Sequence, residues 1–123
     1  MDIQQKIFPE IRNRLKESHD VYDGFLPPEG TAYPFIYIGE NMLIDTPLKN
    51  GTRGEVEQTV HVYSNDPRKR GTISTILNAV RNACGQTADS LGIICSSVSQ
   101  QIRPDNTTNE PLLHGIIMAS FRF

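Results

Sequence analysis

The chain has 123 residues, of which 37% are hydrophobic and 21% charged. That length fits one domain spanning residues 1–123, able to bury a core without metal or disulfide staples, and the composition excludes a disordered chain. No apolar run approaches the roughly 20 residues that cross a bilayer, and a net charge of −2 argues against a nucleic-acid binder, which is usually basic.

The N-terminus, Met1 to Lys6, lacks the basic start and apolar stretch of a secretion signal, so a cytoplasmic protein is expected. Residues 2 to 18 read as a helix, with Ile3, Ile7, Phe8, Ile11 and Leu15 on one face. Pro9 leaves two alternatives: a kinked helix, or a short turn ending near Phe8 and a main helix starting at Pro9. Residues 19 to 34 carry turn and loop chemistry, including Asp20, Asp23, Gly24, Pro27, Pro28 and Gly30. Phe35 to Glu40 predicts a strand, continued by Met42-Leu43-Ile44 after a bulge at Gly39. Asp45 to Gly54, with Pro47, Asn50 and Gly51, reads as an exposed hairpin loop.

The clearest strand follows: Val56, Gln58, Val60 and Val62 alternate with Glu57, Thr59, His61 and Tyr63, as a sheet with one covered face requires. It ends at Ser64-Asn65-Asp66-Pro67, where Asp66 as cap and Pro67 as first residue predict a helix start, with Thr72 a second possible cap. Ile73, Ile76, Leu77, Val80, Ala83 and Cys84 mark an amphipathic helix with Gly85 as its stop. Two strands close the chain. In the first, Ile94, Ser96, Val98, Gln100 and Ile102 form one face; in the second, Ile117, Ala119, Phe121 and Phe123 do. The polar stretch Arg103 to Pro111 links them. The order helix, strand, strand, helix, strand, strand predicts an α+β fold: a mainly antiparallel four-stranded sheet with two helices packed on one face.

The residues that could carry chemistry do not assemble into a catalytic pattern. His19, His61 and His114 are far apart and have no metal-ligand spacing partner; His61 reads as a solvated or hydrogen-bonded residue on a polar face. Cys84 and Cys95 have neither zinc nor redox spacing and are expected to be reduced core thiols. Asp20 and Asp23 are too few for a calcium loop, and the glycines form no phosphate loop. Ser96, Ser97 and Ser99 lack a nucleophile elbow. The triplets at Asn50 and Asn106 are loop composition. No catalytic residue, metal or cofactor is therefore expected. One basic run, Arg68-Lys69-Arg70, opposes the helix dipole at its N-terminus and would be offset by an acidic neighbour or phosphate. With Lys49 and Arg53 in the first loop, and Asp105 and Glu110 in the second, it makes up the candidate partner contacts.

An N-terminal amphipathic helix, then Tyr33-Pro34-Phe35-Ile36-Tyr37-Ile38-Gly39-Glu40, then the valine-rich strand from Glu57 to Ser64, a single amphipathic helix and the terminal strand Gly115 to Phe123 form a pattern covering nearly the whole chain. This pattern resembles the small tail-completion proteins of long-tailed phages and prophages, also called tail terminators or head–tail joining proteins. The resemblance implies a non-enzymatic virion protein, assembled in the host cytoplasm. It also implies a hexameric ring at the head-proximal end of the tail, contacting the tail tube protein and the head–tail connector proteins. It implies no membrane or sequence-specific nucleic-acid partner. A head-side neck or connector protein is the neighbouring alternative. A small cytoplasmic enzyme or ligand-binding domain is the alternative of another class.

Overall fold

The computed structural model describes residues 2–23, 27–28, 30–66, 68, 70–106 and 111–123. Its elements are α1 (Gln4–Leu15), β1 (Val21–Asp23), β2 (Phe35–Leu48), β3 (Gly51–Ser64), α2 (Arg70–Leu91), β4 (Ile94–Asp105) and β5 (Leu112–Arg122). The strands form one sheet in the order β1-β2-β3-β5-β4. The sheet is therefore five-stranded and mixed rather than four-stranded, because β1 pairs parallel with β2, Val21 opposite Ile36 and Asp23 opposite Ile38. The other pairings are antiparallel, as expected.

Side chains alternate across the sheet, and one face carries the core. Ile36, Ile38, Val56, Val60, Val62, Ile117, Ala119 and Phe121 pack there against Ile7, Ile11 and Leu15 of α1 and Ile73, Leu77, Val80 and Cys84 of α2. Each fully buried Val, Leu, Ile or Phe contributes about 1.5–3 kcal/mol relative to exposure. Both helices thus share one face, and α2 lies closest to β5. A Cβ at Gly115 would stand 3.0 Å from Leu77 Cδ1, so the missing side chain lets helix and strand approach.

Several boundaries differ from the sequence expectations. Of the two alternatives left by Pro9, α1 follows the one in which the helix runs through it, from Gln4 to Leu15, and not the one that starts there. Buried Ile7, Ile11 and Leu15 hold the helix against the core, which outweighs the backbone hydrogen bond that proline forgoes. α2 does not stop at Gly85 but continues to Leu91. Buried Thr87 and Ala88 extend its apolar face, and the stop is Gly92, whose φ of +68° suits glycine. There the Gly92 N–H donates to the Asp89 carbonyl and the Ile93 N–H to that of Ala88, closing the helix end. At the other end α2 begins at Arg70, and Asp66 Oδ1 accepts from the Arg68 N–H at 3.1 Å instead of capping a helix that starts beside it. Pro67 lies outside the described residues.

The expected bulge at Gly39 is present, as a register shift between Ile38 and Asn41. Buried Gln58 secures it: its Nε2 donates to the carbonyls of Gly39, Glu40 and Thr59, and its Oε1 accepts from Asn41 Nδ2 at 2.7 Å. The stretch Asp45 to Gly54 is not a loop. Pairing continues through Thr46 with Arg53 and Pro47 with Thr52 to Leu48 with Gly51, leaving a two-residue turn. Pro47 is compatible with this ladder because among the described residues β2 has no outer neighbour there. Similarly, Arg103, Pro104 and Asp105 belong to β4 and pair with His114, Leu113 and Leu112. A second register shift, between Cys95 and Ser97, turns Cys95 toward the core and leaves Ile94 65% exposed, against the simple alternation expected from Ile94 to Ile102.

Candidate assembly surface

The face of the sheet away from the helices carries no helix among the described residues, and the strand registers array aromatic and polar side chains across it. One row runs Tyr22, Tyr37, His61, Ile116 and Gln101 across the five strands; the next runs Phe35, Tyr63, His114 and Arg103. Rings meet along and between these rows. Tyr63 stacks on His114 at 4.4 Å, His114 on His61 at 5.0 Å and His61 on Tyr37 at 5.7 Å, while Phe35 lies 5.3 Å from Tyr63 and 5.7 Å from Tyr22. Aromatic pairs at such separations favour offset or edge geometry over a face-to-face sandwich.

Within this stripe Glu40, His61 and His114 form a hydrogen-bonded chain. His61 Nε2 lies 3.1 Å from Glu40 Oε1, and His61 Nδ1 lies 2.8 Å from His114 Nε2. The bulge that turns Glu40 toward the ring also provides the space. A Cβ at Gly39 would stand 2.9 Å from His61 Cδ2, so glycine lets the imidazole lie over the β2 backbone. Only one proton fits between the two imidazole nitrogens. A neutral pair, or one in which His61 alone is protonated, satisfies the contact; two imidazolium ions would oppose N–H to N–H.

The surroundings polarise the pair. Burial, then the neighbouring His61 and Arg103, lowers the His114 pKa to about 4. The hydrogen bond from His61 holds the Glu40 carboxyl below its ordinary value. Burial raises the Tyr63 hydroxyl. The arrangement can hold and share a proton. Among the described residues no group of three or more His, Cys, Asp or Glu is placed to hold a metal ion. The two cysteines are free, and burial pushes the Cys84 thiol up to about 12, which removes its thiolate at neutral pH.

The hairpin of β2 and β3 provides a second exposed feature. Gly54 exchanges both backbone hydrogen bonds with Phe123, and the Phe123 ring occupies the space a Cβ at Gly54 would need. Beyond that clasp the hairpin projects past the end of β5. Its β2 strand exposes Leu48 (50%) in this projecting tip, and Met42 (52%), Leu43 (41%) and Ile44 (37%) where β3 is still backed by β5. No helix of the described residues is long and apolar enough to cross a membrane.

The structure separates the residues singled out as candidate contacts. Lys49 occupies the hairpin turn and Arg53 the adjoining end of β3, both exposed. Asp105 ends β4 opposite Leu112, at the other end of the sheet, where β3 leads into exposed Arg68 and Arg70. Eleven residue steps of strand, roughly 35 Å, separate Arg53 from Ser64. Lys69 and Glu110 lie outside the described residues. The sequence reading did not pair His61 with His114. It assigned His61 a polar strand face correctly, and continuing the Ile116–Met118 parity back by two residues puts His114 on the same face. The strand register that joins them is not encoded in spacing.

No family model matches the chain, and no curated protein matches it. Among solved structures it is similar to a chain from the virion of a native gene transfer agent (GTA) particle, with 13% identity and a TM-score of 0.48 over 98% of this chain and 95% of that one. A likeness of that degree does not define a family.

Proposed function

We propose that the chain is a structural subunit of a phage-type virion: a ring-forming tail terminator that caps the tail tube and joins it to the head. The observation that carries this reading is the row of exposed apolar side chains that β2 places on the open face of the sheet, Met42, Ile44 and Leu48, in a domain whose helix-covered face is closely packed. Exposed large apolar side chains on one face mark an interaction site. The open face adds a stripe of stacked rings, and aromatic residues are enriched at protein interfaces. The sequence pattern from Tyr33 to Glu40 and from Glu57 to Ser64 points to the tail-completion family in particular.

In this reading the subunit assembles with copies of itself into a hexamer at the head-proximal end of the tail. Lys49 and Arg53 at the hairpin tip and Arg68, Arg70 and Asp105 at the opposite end contact different neighbours, the tail tube on one side and the connector on the other. Lys69 and Glu110 belong to the second set by sequence. Sedimentation of the purified chain, alone and with purified tail tubes, tests the proposal. A hexamer, or decoration of tube ends, is expected. A monomer at high concentration that also ignores tube ends would refute it.

A further inference from the structure

Among the described residues the sheet has two margins whose backbone groups lack a strand partner. There β4 pairs with β5 alone, and from Ile94 to Ile102 it carries no charged side chain and no proline. Unpaired N–H and C=O groups on such an edge template pairing with another chain unless lysine, proline, a bulge or a covering element blunts it, and the register shift between Cys95 and Ser97 interrupts only the start of β4. On the opposite margin β1 covers β2 only from Ile36 to Ile38, so among the described residues Asn41 to Thr46, ahead of Pro47, has no outer neighbour.

The two edges match. Because the steps from β2 to β3, β3 to β5 and β5 to β4 are each antiparallel, β4 runs opposite to β2. A second copy set beside β4 by the outer edge of its β2 would therefore continue the antiparallel order. The rows align the apolar residues. Ile44, Glu55, Arg122 and Ile94 lie in one row, and Met42, Glu57, Ser120 and Ser97 in the next. Ile94, Ile44 and Met42, all exposed, then cover one another on the same face. The β4 edge brings no charge against Asp45.

We infer that the occupant of the β4 edge is a second copy of this chain, docked by antiparallel pairing of its β2 segment Asn41–Asp45, which ends ahead of Pro47, with Ile94 beside Ile44 of that copy. Each copy uses one edge to give and the other to receive, so the contact is heterologous and propagates into a ring or a filament. The inference names the contact that the proposed ring would use and rests on that reading for closure.

Cysteine cross-linking of the full chain in a Cys95→Ser background tests it. Within one copy positions 44 and 94 lie three strand spacings apart, roughly 14 Å, too far for a disulfide. The double variant Ile44→Cys, Ile94→Cys should give an oxidised ladder that ends at the ring size, while each single variant gives no cross-link. A second variant, Ser97→Lys with Ser99→Lys, should keep the circular dichroism spectrum and lose assembled species in sedimentation. A ladder without an end would keep the contact and overturn the closed ring. Rings that form without a ladder, or dimers from a single variant, would overturn the contact and leave the ring reading standing. Absence of both rings and ladder overturns both.

Discussion

Acidification should destabilise this domain through His114, and the size of the effect follows from its setting. Its side chain is 7% exposed, stacked on Tyr63 and held 2.8 Å from His61. The pKa of about 4 in the fold compares with an ordinary 6.5. The unfolded chain therefore binds the proton more readily. The His114 contribution is intact above pH 6.5 and is lost progressively as pH falls toward 4. At about 1.4 kcal/mol per pH unit between 6.5 and about 4 the loss cannot exceed about 3.5 kcal/mol, and rotation of the ring toward water reduces it to roughly 1–3 kcal/mol. That is a large share of the 5–15 kcal/mol typical of a domain. Glu40 has a lowered pKa, so its contribution is lost only as pH falls below its ordinary 4.5, which leaves the window from 6.5 to 4.5 to the histidine. Urea unfolding followed by circular dichroism, at pH values from 7 to 4, should show the chain losing stability relative to His114→Phe, which keeps a ring on Tyr63 and removes the titration. Parallel curves for the two proteins between pH 6.5 and 4.5 would refute the reasoning.

Two glycines, Gly85 inside α2 and Gly92 just past its end, should respond in opposite senses. Gly85→Ala, at a position where a Cβ meets nothing within 4 Å, should stabilise by about 0.5–1 kcal/mol, whereas Gly92→Ala, at positive φ, should destabilise by about 1 kcal/mol; thermal melts of both variants check this. Gln58→Leu should cost about 1–3 kcal/mol in chemical denaturation, because the bulge carbonyls of Gly39 and Glu40 lose their donor and a hydrocarbon of similar size cannot replace it. Arg70→Gln should raise the stability of the isolated domain by about 0.3–1 kcal/mol by removing a cation from the first turn of α2, seen as a small rise in Tm.

The periodic elements were legible because their sequences obey one rule at a time. Val56 to Tyr63 alternates strictly, and Ile73 to Cys84 keeps helical spacing, so face and type follow. What was not legible depended on partners. β1 is three residues long and exists because Ile36 to Ile38 offers a free edge; Val21, Tyr22 and Asp23 have no periodicity of their own. Gly85 has the chemistry of a helix stop, yet Thr87 and Ala88 still face the core and carry α2 onward. Pro47 and Gly51 have the chemistry of a loop, yet each strand of the hairpin supplies the other's hydrogen-bonding groups. The His61–His114 contact belongs to the same class: it arises from the β3–β5 register, in which Tyr63 stands opposite His114, and 53 residues separate the two rings in the chain.

In the proposed assembly the helix-covered face of the sheet serves folding and the exposed residues serve association, which sets where substitutions should act. Folding rests on the side that α1 and α2 cover, where Ile36, Val60, Ile117 and Phe121 are buried to 1% exposure or less. Met42, Ile44, Leu48 and Ile94 contribute little to that core, since each is more than a third exposed. An apolar residue so exposed gains little from its own fold, and changing it to a polar residue should leave the unfolding midpoint nearly unmoved. The aromatic stripe lies between these extremes. Tyr63 and His61 are half-buried and pack with buried His114, so their rings stabilise the sheet and also present a surface. A polar substitution at Ile44 or Ile94 should therefore affect association alone, whereas one at Tyr63 should affect both stability and association.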